Sequence, residues 1–211
     1  MNIFLIRHGE IRGAQIKRFI GATDVPLSDQ GLEQARRLRR YLSAIPFDRV
    51  YSSPLERTLA TASIISGLPG KEIIEKRALG EIDLGEWDGK SFSEIQRLFP
   101  REWTRRGEAI TTYRPPLGES FSDLQARVVP CFKKIIAHPV PNVLIVAHAG
   151  VNRVLLCYLQ NRRLDRLFSI PQQYGAVNII KANKGGAAIQ VVNRLPEDRC
   201  RPLDPDFFHS P

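Results

Sequence analysis

Strands alternating with helices predict an α/β fold: a mostly parallel sheet covered by helices on both faces, with a helical insertion near the candidate active site and a C-terminal β-hairpin. Three observations carry this expectation. The uninterrupted apolar runs Ile3-Phe4-Leu5-Ile6 and Val143-Leu144-Ile145-Val146-Ala147 have the length and composition of buried strands. Segments with apolar residues at helical spacing lie between them. Near the end, residues 176–181 and 187–192 read as strands joined by Asn183-Lys184-Gly185-Gly186, a composition suited to a hairpin turn.

After the first strand comes a polar loop, and Ser28 then caps a helix carrying Leu32, Ala35, Leu38, Leu42 and Ile45 at helical spacing. Asp48-Arg49-Val50-Tyr51 reads as a second strand. Ser53-Pro54-Leu55-Glu56 combines an N-cap serine, proline at the first helical position and a capping-box glutamate, so a helix is expected to start there. A weaker strand from Glu72 to Glu75 precedes Glu81 and the turn-rich Gly85-Glu86-Trp87-Asp88-Gly89. Residues 91–117 read as the helical insertion, with Pro115-Pro116 at its exit. Ser120 opens a helix carrying Phe121, Leu124, Val128, Phe132 and Ile135, which Pro130 is expected to kink or shorten. The strand at 143–147 runs into His148-Ala149-Gly150 and a helix over about 151–159. Residues 1–195 are expected to form a single domain, with 82–117 as an insertion over the site and 196–211 as a loose tail.

A length of 211 residues is enough for one domain with its own core. Neither apolar run approaches the roughly 20 residues needed to cross a bilayer, and the N-terminus has no basic n-region or small-residue cleavage site, which argues for the cytoplasm. Cys131, Cys157 and Cys200 are odd in number and widely spaced, which signals neither a disulfide framework nor a zinc site; the first two are expected to be buried thiols. The net charge of +9 suits nucleic acid, an acidic surface or an anionic small substrate. Arg36, Arg37, Arg39 and Arg40 on one helix, and Arg153, Arg162, Arg163 and Arg166 near another, lack the interleaved aromatics of a single-strand binder. They read as solvated helix faces, and no specific nucleic-acid partner is expected. Trp87 and Trp103 read as packing residues; His138 and His209, in proline-flanked or terminal segments, carry no functional reading.

In open α/β sheets ligands bind beyond the carboxyl ends of the strands. Arg7 and His8 follow one strand, Arg57 follows the turn after the second, and His148 follows the strong third. A phosphomonoester carries about −1.5 to −2 charges near neutrality. Two arginines can grip its oxygens with fixed fork geometry, a neutral imidazole can attack phosphorus, and an acid can protonate the leaving alkoxide.

Arg7-His8-Gly9-Glu10, then Ser52-Ser53-Pro54-Leu55-Glu56-Arg57-Thr58 with Thr61-Ala62, then Glu81, then Ala147-His148-Ala149-Gly150 resemble, in order, the motif series of the histidine phosphatase (phosphoglycerate mutase-like) superfamily. The resemblance spans residues 3–150. It implies that His8 is the phosphorylated nucleophile, that Arg7, Arg57 and His148 form the phosphate pocket and that Glu81 is the general acid. Ala149, Gly21 and Arg18 are carried over as further substrate or phosphate contacts. No cofactor and no metal are implied, and the partner is a small phosphorylated substrate. Many members have threonine and, three residues later, asparagine where this chain has Ile11 and Ala14, so a phosphate contact is expected to be missing; Gln15, Lys17 or Arg18 could replace it.

Around the acid, Ile82, Leu84 and Trp87 depart from the mutase pattern and follow the phosphatase pattern Glu-x-x-x-Gly-x-Trp-x-Gly. Segments 167–175 and 177–180, with Arg18-Phe19-Ile20-Gly21 leading to Thr23–Ser28, resemble the α-ribazole phosphatase branch, which implies hydrolysis of α-ribazole 5′-phosphate in cobalamin nucleotide-loop assembly. The alternatives are a broad-specificity phosphatase, a mutase-like enzyme or, from another class, a catalytically silent module that binds a phosphoprotein.

Overall fold

The strands are β1 (Asn2–Arg7), β2 (Arg49–Ser52), β3 (Ile74–Glu75), β4 (Asn142–Ala147), β5 (Val177–Asn183) and β6 (Gly186–Arg194), and they join into one sheet in the order β3-β2-β4-β1-β5-β6. The computed structural model describes residues 1–183, 185–197, 201–204 and 207; Cys200, His209 and the turn residue Lys184 lie outside them. β1, β4, β2 and β3 run parallel, while β5 pairs antiparallel with both β1 and β6. The mostly parallel sheet and the terminal hairpin are therefore as the sequence predicts.

Side-chain alternation along β1 sorts the core into two layers. Ile3 and Leu5 face a cluster with α5 (Phe121–Ile136) and α6 (Ala149–Leu159). Phe4 and Ile6 face the other side, where α1 (Asp29–Tyr41) and α2 (Glu56–Ser66) supply Leu38, Tyr41, Ala62 and Ile65. Helices cover both faces, which is why the central strands carry no polar alternation.

Four local expectations need correction. α1 ends at Tyr41, so Leu42 and Ile45, although buried, lie past the helix. Ser53 does not cap α2: the helix starts at Glu56 with Leu55 at the cap, and the Glu56 N–H donates to the Asp24 carboxylate at 2.9 and 3.1 Å. Pro130 does not shorten α5, which runs from Phe121 to Ile136. The lost bond falls on the exposed side, at Ala126 and Pro130, while Leu124, Val128, Phe132 and Ile135 hold both halves on the sheet. Finally, the tail has an anchor: Leu203 is buried against the α1–α2 layer, and its N–H donates to the Tyr41 carbonyl at 2.7 Å.

The insertion consists of two short helices, α3 (Phe92–Leu98) and α4 (Pro100–Glu108). Phe92 of α3 stacks on Phe19 at 4.4 Å between centroids, and Trp87 is buried against Phe19 and Tyr113. Trp87 is thus a packing residue, and it ties the insertion to the loop after β1.

That loop is also pressed against α1 through bare backbone. A Cβ at Gly31 would overlap the carbonyl oxygen of Glu10, and one at Gly9 would overlap that of Gly31. Gly31→Ala should therefore lower stability by about 1–3 kcal/mol in urea denaturation. By contrast, Gly107 in α4 has open space where a Cβ would go, so Gly107→Ala should gain up to about 1 kcal/mol from helix propensity. Equal effects of the two substitutions would remove the close approach as a constraint.

Candidate functional site

Parallel pairing places two imidazoles side by side. β1 and β4 are in register with Arg7 opposite Ala147, so His8 and His148 leave the sheet together, their ring centroids 5.1 Å apart. His8 is buried, and its Nδ1 lies 2.7 Å from the Gly9 carbonyl oxygen. A carbonyl only accepts, so Nδ1 carries the proton and Nε2 keeps a lone pair. Burial first, and then the charges of Arg7 and Arg57, hold the His8 pKa well below the ordinary 6.5, against the raising effect of the Gly9 bond. The imidazole is uncharged at neutral pH.

His148 is the N-cap residue of α6 and is fully buried. Its Nδ1 accepts from the Arg57 Nε at 3.4 Å, which leaves Nε2–H to donate to the Ser53 hydroxyl at 2.9 Å. The Ser53 hydroxyl also accepts from the Leu55 N–H at 3.3 Å, within the turn that precedes α2. Burial and the neighbouring charges hold the His148 pKa well below 6.5 as well. Arg57 is buried, and donates from Nη1 to the Thr23 carbonyl at 2.8 Å and from Nη2 to the Gly21 carbonyl at 2.7 Å. Burial lowers its pKa while the Glu81 charge raises it.

Arg7 donates from Nη1 to the Gln172 carbonyl at 2.5 Å and stacks its guanidinium 3.7 Å from the Tyr174 ring centroid. Its Nε is buried and has no protein acceptor among the described residues. Tyr174 also approaches His8, at 5.6 Å between centroids. Glu81 closes another side: Oε1 accepts from the Ile82 N–H and Oε2 from the Gly150 N–H, each at 3.0 Å. A side chain at Gly150 would strike that carboxylate, so glycine there lets Glu81 sit on the first turn of α6. Arg153, one turn further along the helix, donates to the Ile170 carbonyl at 2.9 Å and feels the Glu81 charge.

Arg7, His8, Arg57, Glu81, Ala149 and Arg153 all line one cavity of about 600 Å³. His148 stands behind it, in contact with Arg57. Ala149 presents the N-terminal turn of α6, a favourable place for an anion. Arg18 and Lys17 line the outer wall, where Arg18 donates to the Gly89 carbonyl at 3.0 Å; Gln15 is not part of the lining. Gly21 does not face the cavity: its N–H donates to Asp88 at 2.8 Å and its carbonyl holds Arg57. Ile11 is buried in a bridge to Leu27 and lines the cavity with Ala14, so the wall is apolar where many relatives of the motif are polar.

Sequence reasoning missed Ser53, Gln172, Tyr174 and Arg153 as parts of the site. Arg153 is the clearest correction, because it was assigned to a solvated face. Its spacing of four from Ala149 puts both on one face of α6, and that periodicity was the available signal. Arg162 and Arg163 are exposed as expected. Cys157 is buried and Cys131 half-buried, and both are free thiols. Among the described residues no group of three or more His, Cys, Asp or Glu could hold a metal ion, and no helix is long and apolar enough to cross a membrane.

The chain is similar to known proteins in both sequence and fold. The structure is similar to the α-ribazole phosphatase from Shigella flexneri, with a TM-score of 0.86 and 25% identity over 97% of this chain and 100% of that one. The sequence is 29% identical over 181 residues to phosphoserine phosphatase 1 of Hydrogenobacter thermophilus, covering 85% of this chain and 86% of that protein. It is 34% identical over 167 residues to the 6-phosphofructo-2-kinase/fructose-2,6-bisphosphatase of Gallus gallus, of whose length it spans only 34%. Residues 3–195 match the histidine phosphatase superfamily, branch 1, and the chain belongs to that superfamily as a phosphomonoester hydrolase.

Proposed function

We propose that the enzyme works through a phosphohistidine on His8 and that its substrate is α-ribazole 5′-phosphate. The observation that carries the mechanism is the uncharged His8 imidazole, its Nδ1 proton committed to Gly9 and its Nε2 lone pair left free between Arg7 and Arg57. In the first step Nε2 attacks phosphorus, the bond to the leaving oxygen breaks and Glu81 gives that oxygen a proton. In the second, water attacks phosphorus, Glu81 takes the proton, and the N–P bond returns its electron pair to Nε2. The Nδ1–H···O=C bond steadies the positive charge the ring carries while it is phosphorylated.

The phosphoryl oxygens need donors, and the site has them in reserve. Arg57 uses three of its five N–H groups on His148, Thr23 and Gly21, which leaves two for a ligand. The N-terminal end of α6, at Ala149, faces the same cavity and favours an anion there, fixed before the substrate arrives. His148 then acts as a positioning residue that orients Arg57.

Two observations support α-ribazole 5′-phosphate over a smaller polar ester: the likeness to the Shigella flexneri enzyme, and an outer cavity wall in which Ile16, Ile20, Val25 and Phe92 stand beside Lys17 and Arg18. Phe92 is partly exposed and braced by Phe19, a shelf suited to a flat apolar base. The reading includes a cytoplasmic setting, which the free thiols of Cys131 and Cys157 support.

His8→Ala should abolish phosphoenzyme and lower kcat by about 10⁴-fold or more. Alkaline quench with labelled substrate measures this, and label retained on the variant would sink the nucleophile assignment. A second expectation follows from the lowered pKa of His8 and His148. Below about pH 6.5 the unfolded chain takes up protons that the folded chain refuses, so the unfolded state gains and stability falls as pH falls through that range. Tm measured from pH 7.5 down to 5.5 should show this slope, and a His8→Asn/His148→Asn double variant should show less of it. An unchanged slope would mean that the imidazoles are not held neutral. For the substrate, a panel ranked by kcat/KM should place α-ribazole 5′-phosphate at least about tenfold above phosphoserine, 3-phosphoglycerate and fructose 2,6-bisphosphate, about 1.4 kcal/mol in transition-state binding. Preference for any of those three would replace the substrate and leave the phosphohistidine step standing.

A further inference from the structure

A second cavity, about 560 Å³, opens between α5 and the β3 edge of the sheet, away from His8. Its size is within the range that holds a small organic ligand. Buried Tyr51 and Ile135, with Ala78, give it an apolar floor. Around that floor stand Lys76, Arg77, Lys134 and His138, against Glu75 as the one carboxylate in the lining. The Lys76 ammonium lies 5.8 Å from the Tyr51 ring centroid, so charge and aromatic face are presented together.

The inner wall of this groove is Arg127, and Arg127 holds the backbone around Glu81. Its Nη1 donates to the carbonyls of Ala78 and Gly80, and its Nη2 to the carbonyl of Glu81, all at 2.9 Å. It also pairs with Glu119 at 2.8 Å, and Glu119 accepts from the Asp83 N–H at 3.0 Å. The segment carrying Glu81 is thus clamped on both sides by one ion pair. A small cavity of about 320 Å³ behind Glu81 shares Arg77 and Arg127 with the groove and shares Glu81 with the active-site cavity. The groove and the reacting carboxylate are joined by contiguous side chains.

We propose that this groove is a regulatory site for a small organic anion with a flat apolar body, and that its occupant acts on Glu81 through Arg127. The rim supplies the charge complement and the floor the apolar contact. An anion at the rim competes with the Ala78 and Gly80 carbonyls for the Arg127 guanidinium, and the Glu81 segment loosens as those bonds weaken. The effect on rate rests on Glu81 being the acid, as proposed above; the binding does not.

The probe is 1-naphthalenesulfonate, which has the required chemistry and no phosphoryl group to transfer. Calorimetry with saturating orthovanadate in the active site should still show one bound probe, and Lys134→Glu, an exposed change on α5, should weaken it at least tenfold. The saturated enzyme should turn over glycerol 1-phosphate at least threefold more slowly, while p-nitrophenyl phosphate, whose leaving group needs little protonation, should slow much less in the burst phase. No binding, binding lost to vanadate, or binding indifferent to Lys134→Glu overturns the site. Binding that leaves both rates unchanged, or slows both equally, overturns the link to Glu81. Glu81→Gln assayed alone with the same two substrates tests the acid reading separately.

Discussion

The site must keep an imidazole uncharged beside two guanidinium groups, and the surrounding architecture serves that requirement. Burial of His8 disfavours the imidazolium, and Arg7 and Arg57 disfavour it further. The same two charges must stay available for a dianion. Most of their anchoring comes from carbonyl oxygens of Thr23, Gly21 and Gln172, with Asp24 no closer than 4.0 Å to Arg57. Carbonyl dipoles hold a guanidinium in place without cancelling its charge. Arg114, which lines no part of the active-site cavity, is by contrast paired with the Asp123 carboxylate. Glu81 is the carboxylate inside the cavity, and its two oxygens are taken by backbone N–H groups.

That choice makes loops part of the charge network. The loop around residues 21–24 holds Arg57 through two carbonyls and also caps α2 through the Asp24 carboxylate. The Asp88 carboxylate in turn accepts from Gly21 and Thr23, each at 2.8 Å. Through Phe19, Trp87 and Phe92 the same region packs on the insertion, so the outer wall of the cavity and the backbone that aims Arg57 are one unit. A change of outer wall is therefore felt at the phosphate.

What could be read in the sequence followed from short-range periodicity. The strands at 2–7 and 142–147 are built on the continuous apolar runs 3–6 and 143–147 because both faces are covered, and their ends located His8 and His148. The remaining features depend on partners far away in the chain. Ser53 has the local composition of a cap, but its hydroxyl is held by a histidine 95 residues on, and the cap comes from a carboxylate 32 residues back. Pro130 has a local penalty that a buried apolar stripe outweighs. Arg153 belongs to a basic stretch by composition, yet its guanidinium is turned inward by a carbonyl at Ile170. Tyr174 and Gln172 lie in a segment with no periodicity at all, and only the three-dimensional path of the chain after α6 brings them under Arg7.

The central place of β1 has a consequence for how the protein is made. Its partners in the sheet are β4 and β5; Asn2 lies opposite Asn142 on one side and Lys181 on the other. A ribosome adding roughly 5–20 residues per second leaves β1 without either neighbour for on the order of 10 s. Throughout that interval the apolar run Ile3–Ile6 has no sheet to join and is exposed to association with other chains. His8 leaves the ribosome well ahead of Gln172 and Tyr174, and the cavity around it cannot close until the segment carrying those two residues has left the exit tunnel. No copy can therefore begin to turn over substrate until the chain has been made past Tyr174.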